Sequence, residues 1–146
     1  MATDRAYVAE NDRQRRRLEA LADTLDDAGL ARAMPGGWTV AGVLAHLAFW
    51  DQRIVVLVEA LKRGAPVPVE QAGDVDWIND AAKPAQLALT PRRAAALAVN
   101  AARAADAAVA ALSDELIAKN AAVGNPINLL RAAHRRAHLD EIEGRT

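Results

Sequence analysis

Glycine and proline punctuate this chain so sparsely that the long stretches between them can hardly be anything but helices. From Thr3 or Asp4 to about Asp26 neither residue occurs, and Val8, Leu18, Leu21 and Leu25 fall roughly on one face with charges on the rest, which predicts a first helix. Pro35, Gly36 and Gly37 break the chain. Thr39 then offers its hydroxyl as the cap of a second helix, from Val40 to about Arg63, closed by Gly64. Trp38 and Val43 on either side of that cap have the spacing of a hydrophobic staple. Thr90-Pro91 opens a third helix that alanine carries to about Leu112, and Asn125-Pro126 repeats the signature for a fourth, from Ile127 to about Glu143, before Gly144. Residues 64–90 carry Pro66, Pro68 and Pro84, which leaves room for at most a short helix near Asp74 to Lys83.

Four helices with apolar faces and no strand signal predict an all-α four-helix bundle, and 146 residues predict one domain over 1–146. The long connection can run the length of such a bundle, so helices two and three can be parallel. With 52% hydrophobic but only 3% aromatic residues, the core has to be made by close helix approach. A net charge of −1 and a pI near 6.3 exclude the concentrated basic surface of a nucleic-acid binder. Arg13, Arg15, Arg16 and Arg17 alternate with Glu10, Asp12 and Glu19, the pattern of a solvated helix face. No cysteine is present, so disulfides, thiolate ligands and a cysteine nucleophile are excluded. The first residues lack an apolar leader, and no run reaches the roughly 18 apolar residues of a membrane span. The expectation is a soluble cytoplasmic protein without a membrane partner.

The three histidines are His46, in helix two, and His134 and His138, in helix four. Spacings of three and four place Ile127, Leu130, His134, Ala137 or His138, and Glu141 on an inward stripe, with the intervening arginines toward solvent. At a rise of about 1.5 Å per residue, His46 lies roughly 10 Å from the start of its helix, while His138 and His134 lie roughly 8 and 14 Å from the end of theirs. Antiparallel packing of helices two and four would bring all three to one level. Imidazoles four residues apart can share a metal ion, with His46 as the third ligand. The alternative is a chance HxxxH pair beside a core histidine bonded to a carbonyl.

The segments "LEALADTLDDAGLARAMPGGWTVAGVLAHLAFWDQR" and "RAAHRRAHLDEIE" resemble the DinB-like superfamily: a tryptophan-containing turn leading into an "AHL…W" helix, and a closing HxxxH helix. "DVDWINDAAKPAQLALTPRRA" is similar to the middle of its mycothiol-dependent maleylpyruvate isomerase-like branch, some members of which have glutamate where this chain has His134. The resemblance implies an up-down-down-up bundle. It also implies a divalent metal, zinc or nickel, on His46, His134 and His138, and reactions that use low-molecular-weight thiols.

Two functions follow. One is a metal-dependent transferase, isomerase or hydrolase acting on a small electrophile, with mycothiol or bacillithiol as the nucleophile that the cysteine-free chain lacks. The other is a non-catalytic metal-binding bundle of stress-response or interaction type. Three ligands without a fourth favour the first, and a Glu141 oxygen on the metal would favour the second. Glu141 is otherwise a candidate to orient His138, and Arg131 a candidate for a substrate carboxylate. Trp50, Trp77 and Asn79 are candidates for the pocket mouth, with core packing the competing role for Trp50 and anchorage of the connector for Trp77. Asp51 falls off the His46 direction and is expected in solvent. The alanine-rich faces are suited to a homodimer.

Overall fold

A computed structural model describes residues 2–145. Its helices are α1 (Ala6–Thr24), α2 (Asp27–Leu30), α3 (Val40–Lys62), α4 (Asp74–Leu87), α5 (Pro91–Ala110), α6 (Asp114–Ala122) and α7 (Ala132–Glu143). A short antiparallel pair, β1 (Ala33–Met34) and β2 (Trp38–Thr39), brackets the Pro35–Gly37 turn. Gly36 and Gly37 turn there at φ 75° and 78°, a conformation that glycine adopts without penalty. Thr39 Oγ1 accepts a hydrogen bond from the Gly42 amide at 2.9 Å and so starts α3 at Val40.

The short α2 and the β1–β2 pair lie outside the sequence expectation, which read no strand signal, and three further helices differ from it. α4 passes through Pro84 to Leu87, because a proline removes only its own N–H donor and the Pro84 carbonyl still accepts from the Ala88 amide at 3.1 Å. α6 was not anticipated, although Ser113 caps it by accepting from the Leu116 amide and Asp114 and Glu115 fill its first turn, both ordinary start signals. α7 begins at Ala132 rather than Ile127. Asn125 is left-handed at φ 53° and cannot act as an extended cap, and the backbone after it bonds to side chains instead of to itself. The Asn120 carboxamide takes both the N–H and the carbonyl of Ile127, at 3.0 and 2.9 Å, and the Asn11 carboxamide takes the Leu129 carbonyl and the Ala132 N–H, each at 2.9 Å.

Side-chain pairs give the helix directions. Arg5, before α1, reaches Leu112 and Asp114 beyond the end of α5, while Arg92 at the start of α5 reaches the Ala22 and Leu25 carbonyls. α1 and α5 are therefore antiparallel. Asn11 and Arg17 of α1 meet Ala132 and Asp140 of α7 in the same order, so those two are parallel. His46 and Asp51 of α3 meet His134 and Arg131 in reverse order, so α3 and α7 are antiparallel. α3 and α5 make the most extensive interface. Leu44 and Leu47 cluster with Ala94, Ala98 and Ala102, whereas Ile54 and Val58 cluster with Ala105 and Val109, which makes the two helices parallel. Alanine on α5 allows the close approach. By length and composition α3 could cross a membrane, but 72% of its apolar window is buried inside the protein.

The core also holds charge. Arg135 has no exposed surface: its guanidinium bonds Asp106 on α5 at 2.7 and 2.9 Å and Asp51 on α3 at 3.1 and 3.3 Å. Arg131 adds a 3.0 Å bond to Asp51, and Arg15 of α1 a 2.8 Å bond to Asp106. Asp51 and Arg135 are thus corrected from solvent to core, and the buried stripe of α7 is Ala132, Arg135, Leu139 and Ile142. Leu130, Ala137 and Glu141, expected on that stripe, are exposed. Replacing Arg135 by alanine leaves two buried carboxylates short of a partner and should destabilise the fold by about 3–5 kcal/mol in urea unfolding. The exposed neighbour Arg136→Ala should change stability by no more than about 0.5 kcal/mol.

Candidate metal centre

α3 and α7 bring the three histidines together. His46 Nε2 lies 3.2 Å from His134 Nε2, and one ring nitrogen from each of His46, His134 and His138 falls within 4.8 Å of the others. The ring centroids form a near-equilateral triangle with sides of 5.1, 4.9 and 4.9 Å, each pair edge to face. Two nitrogens at about 2.05 Å from a tetrahedral ion stand about 3.3 Å apart, so the 3.2 Å pair has the spacing of two ligands on one ion. It is also a hydrogen-bond distance, but one shared proton serves only two rings and leaves the third nitrogen out. Trp38 packs against His46 with centroids 5.9 Å apart.

The rings are held neutral, the form in which imidazole ligates. Burial first, and the neighbouring His138 second, push His46 down to about 4. Burial, followed by His138, His46 and the Arg131 and Arg135 guanidiniums, pushes His134 down to about 3. His138 is also lowered by burial, against a smaller opposing pull from Glu141. Glu141 Oε1 is 3.5 Å from His138 Nδ1, too poorly placed for a hydrogen bond, and the Nδ1 atoms of His46 and His138 are enclosed without a partner among the described residues. Glu141 is not one of the converging donors. Three neutral ring nitrogens, joined by no carboxylate or thiolate among the described residues, are a donor set that suits a divalent ion of the imidazole-binding kind.

The three histidines line a cavity of about 980 Å³ between α3, α4, α7 and the segment before α7. Trp50 and Asn79, expected at its mouth, line it, and so do Arg131 and Glu141. Trp50 is 8% exposed and donates from Nε1 to Asn79 Oδ1 at 2.8 Å, so packing and pocket lining are joined in one residue. Trp77 neither lines the cavity nor anchors the connector: it is 60% exposed and bonds Asp74 one turn back. Burial pushes the Arg131 guanidinium below its usual range, with Asp51 acting in the opposite direction.

Several cavity residues were missed from sequence. Arg53 pairs with Glu70 at 2.8 Å and lies over the Trp50 ring, while Lys83 bonds the Gly36 carbonyl and lies over Trp38. These contacts join α3 and the Pro35–Gly37 turn to α4 and the connector before it, and nothing local in the sequence announces them. Asp106 did leave a signal: a lone carboxylate in the alanine stripe of α5, among Ala98, Ala102, Ala105 and Val109, needs a buried cation.

The DinB superfamily model matches residues 10–138. Neither a curated protein nor a solved structure matches the chain.

Depressed histidine pKa values make the metal-free protein acid-sensitive in a defined window. Above the ordinary value of 6.5 the folded and unfolded chains both hold these rings neutral, so they add nothing there. Below it the unfolded chain takes up protons that the folded chain refuses until about 4 at His46 and about 3 at His134, so stability falls as the pH drops. The urea midpoint of metal-free protein should decline between about pH 7 and pH 5, and decline less in the His46→Asn/His134→Asn double variant. Equal declines would trace the acid sensitivity to other groups.

Proposed function

Because this chain belongs to the DinB superfamily, we propose that its three histidines hold a divalent metal, zinc or nickel, at the base of a cavity where a small electrophile meets a low-molecular-weight thiol. The observation that carries this reading is the convergence of three neutral ring nitrogens, with no carboxylate or thiolate joining them among the described residues, on an open cavity. When bound, such an ion supplies a Lewis acid that favours the thiolate form of a coordinated thiol.

The rest falls to the chain. His46, His134 and His138 fix the ion's position from two antiparallel helices. Trp50 and Asn79 hold one wall in place through their mutual hydrogen bond. The nucleophile has to be a ligand, mycothiol or bacillithiol in kind, because the sequence has no cysteine. A cavity of about 980 Å³ is at the upper end of the roughly 300–1,000 Å³ typical of ligand pockets, which accommodates a thiol cofactor beside its partner substrate. The reaction class is then S-transfer, or an isomerisation through transient thiol addition. The setting is a cytoplasmic single-domain protein, and the helix directions support an up-down-down-up four-helix bundle. A purely structural metal site accounts for the triad but not for the cavity it opens on.

Elemental analysis of the purified protein should find close to one divalent ion per chain, and His134→Ala/His138→Ala should lose it. Chelation should lower Tm, since an ion that binds only the folded state at 100 times its Kd adds about 2.7 kcal/mol. A panel of electrophiles with mycothiol, bacillithiol and glutathione should give metal-dependent turnover with at least one thiol. Stoichiometric metal without turnover would favour the non-catalytic bundle.

A further inference from the structure

Arg131 lines the cavity of the metal centre with much of its guanidinium unused. Its side chain is 6% exposed, Nε donates to Asp51 Oδ1 at 3.0 Å, and Nη1 donates to the Asn128 carbonyl at 3.4 Å. Nη2 has no hydrogen-bond partner among the described residues. It is not sealed in either, because the enclosed side-chain atoms without partners belong to His46, His138 and Gln86. A guanidinium carries five N–H donors and two are engaged, so three remain: both on Nη2 and one on Nη1. Those two nitrogens form the planar fork that meets a carboxylate in bidentate fashion.

The position of the fork is as telling as its vacancy. Arg131 caps α7 with helical backbone angles of −71° and −23°, three residues before His134, and residues at that spacing stand side by side on a helix at about 5–6 Å between Cβ atoms. Asp51 does not fully neutralise it, since its other oxygen is committed to Arg135. Of the other cations on the cavity wall, Arg53 is paired with Glu70 and lies over the Trp50 ring, and Lys83 is bonded to the Gly36 carbonyl and lies over Trp38. Facing carboxylates stand on α4, at Asp76 and Asp80, and at Glu141 on α7. Arg131 is thus the cavity cation at the head of the helix that carries two of the three rings, and the acidic α4 wall disfavours a multiply charged anion such as phosphate.

We infer that Arg131 is the carboxylate-binding subsite of this cavity, and that the small molecule brought to the three histidines carries a carboxylate. The inference rests on the proposed function for what happens at the histidines, but not for the binding of the anion itself.

Calorimetric titration of the metal-free and zinc-loaded protein with butyrate, butyramide and inorganic phosphate tests it. In metal-free protein butyrate should bind about tenfold tighter than butyramide, and Arg131→Gln should weaken butyrate by about tenfold, with Arg131→Lys in between because it keeps the charge and loses the fork. Zinc affinity of both variants, read by competition with a chromophoric chelator, should stay within about threefold of wild type, since neither change touches a ring nitrogen. Butyrate no tighter than butyramide in metal-free protein overturns the inference, as does unchanged butyrate binding in both variants or phosphate outcompeting butyrate. The butyrate and butyramide comparison on wild type decides the matter even if the glutamine variant fails to fold. Failure of zinc to bind would overturn the metal reading instead, and leave the metal-free comparison to settle Arg131.

Discussion

A guanidinium with no exposed surface imposes conditions that the rest of this molecule has to meet. Arg135 cannot be left unpaired in a helical core, so α7 has to lie where Asp51 of α3 and Asp106 of α5 can both reach it. The value of such a buried network lies in register more than in net stability, because desolvation offsets much of the attraction. Register is what the histidines need. His134 and His138 flank Arg135 on α7, and His46 precedes Asp51 on α3, so the pairing that satisfies the charges also sets the three rings at one depth.

α7 therefore works on two faces. Ala132, Arg135, Leu139 and Ile142 go into the core, and one residue away around the helix Arg131, His134 and His138 border the cavity. His134 and His138 on this second face are only partly exposed, and burial pushes both below the ordinary imidazole range. The late start of the helix serves the same end. Because Asn120 and Asn11 take up the backbone bonds of Ile127, Leu129 and Ala132, the segment before α7 stays irregular and forms a cavity wall rather than another helical turn.

Much of the helical skeleton was legible because its signals are local. Thr39 acts on an amide three residues away, Gly64 and the turn glycines act through their own backbone, and the boundaries of α3 and α5 came out close to the punctuation read from sequence. The histidine grouping was legible through helix geometry, since a rise per residue turns sequence spacing into depth. The errors have one physical source. Asp51, Arg135 and Glu141 were assigned to faces by their angle around the helix from the histidines, but a charged residue's face is decided by whether a distant partner exists, and only the first two have one in the core. Asn125 was assigned as a cap on residue type, although here its backbone is left-handed and the holding is done by Asn120 and Asn11 from other helices.

By itself the sequence determined that this chain is helical, where its long helices break, that it lacks a thiol of its own, and that the three imidazoles are spaced to meet. These follow from local backbone preferences and from counting along a helix. Tertiary structure decided which charges are buried, that the ring nitrogens open on a cavity, and that α4 and its connector wall that cavity opposite α7. Each of these depends on pairs far apart in the chain, such as Asp51 with Arg131 and Arg53 with Glu70, and no local pattern encodes a partner supplied by another helix.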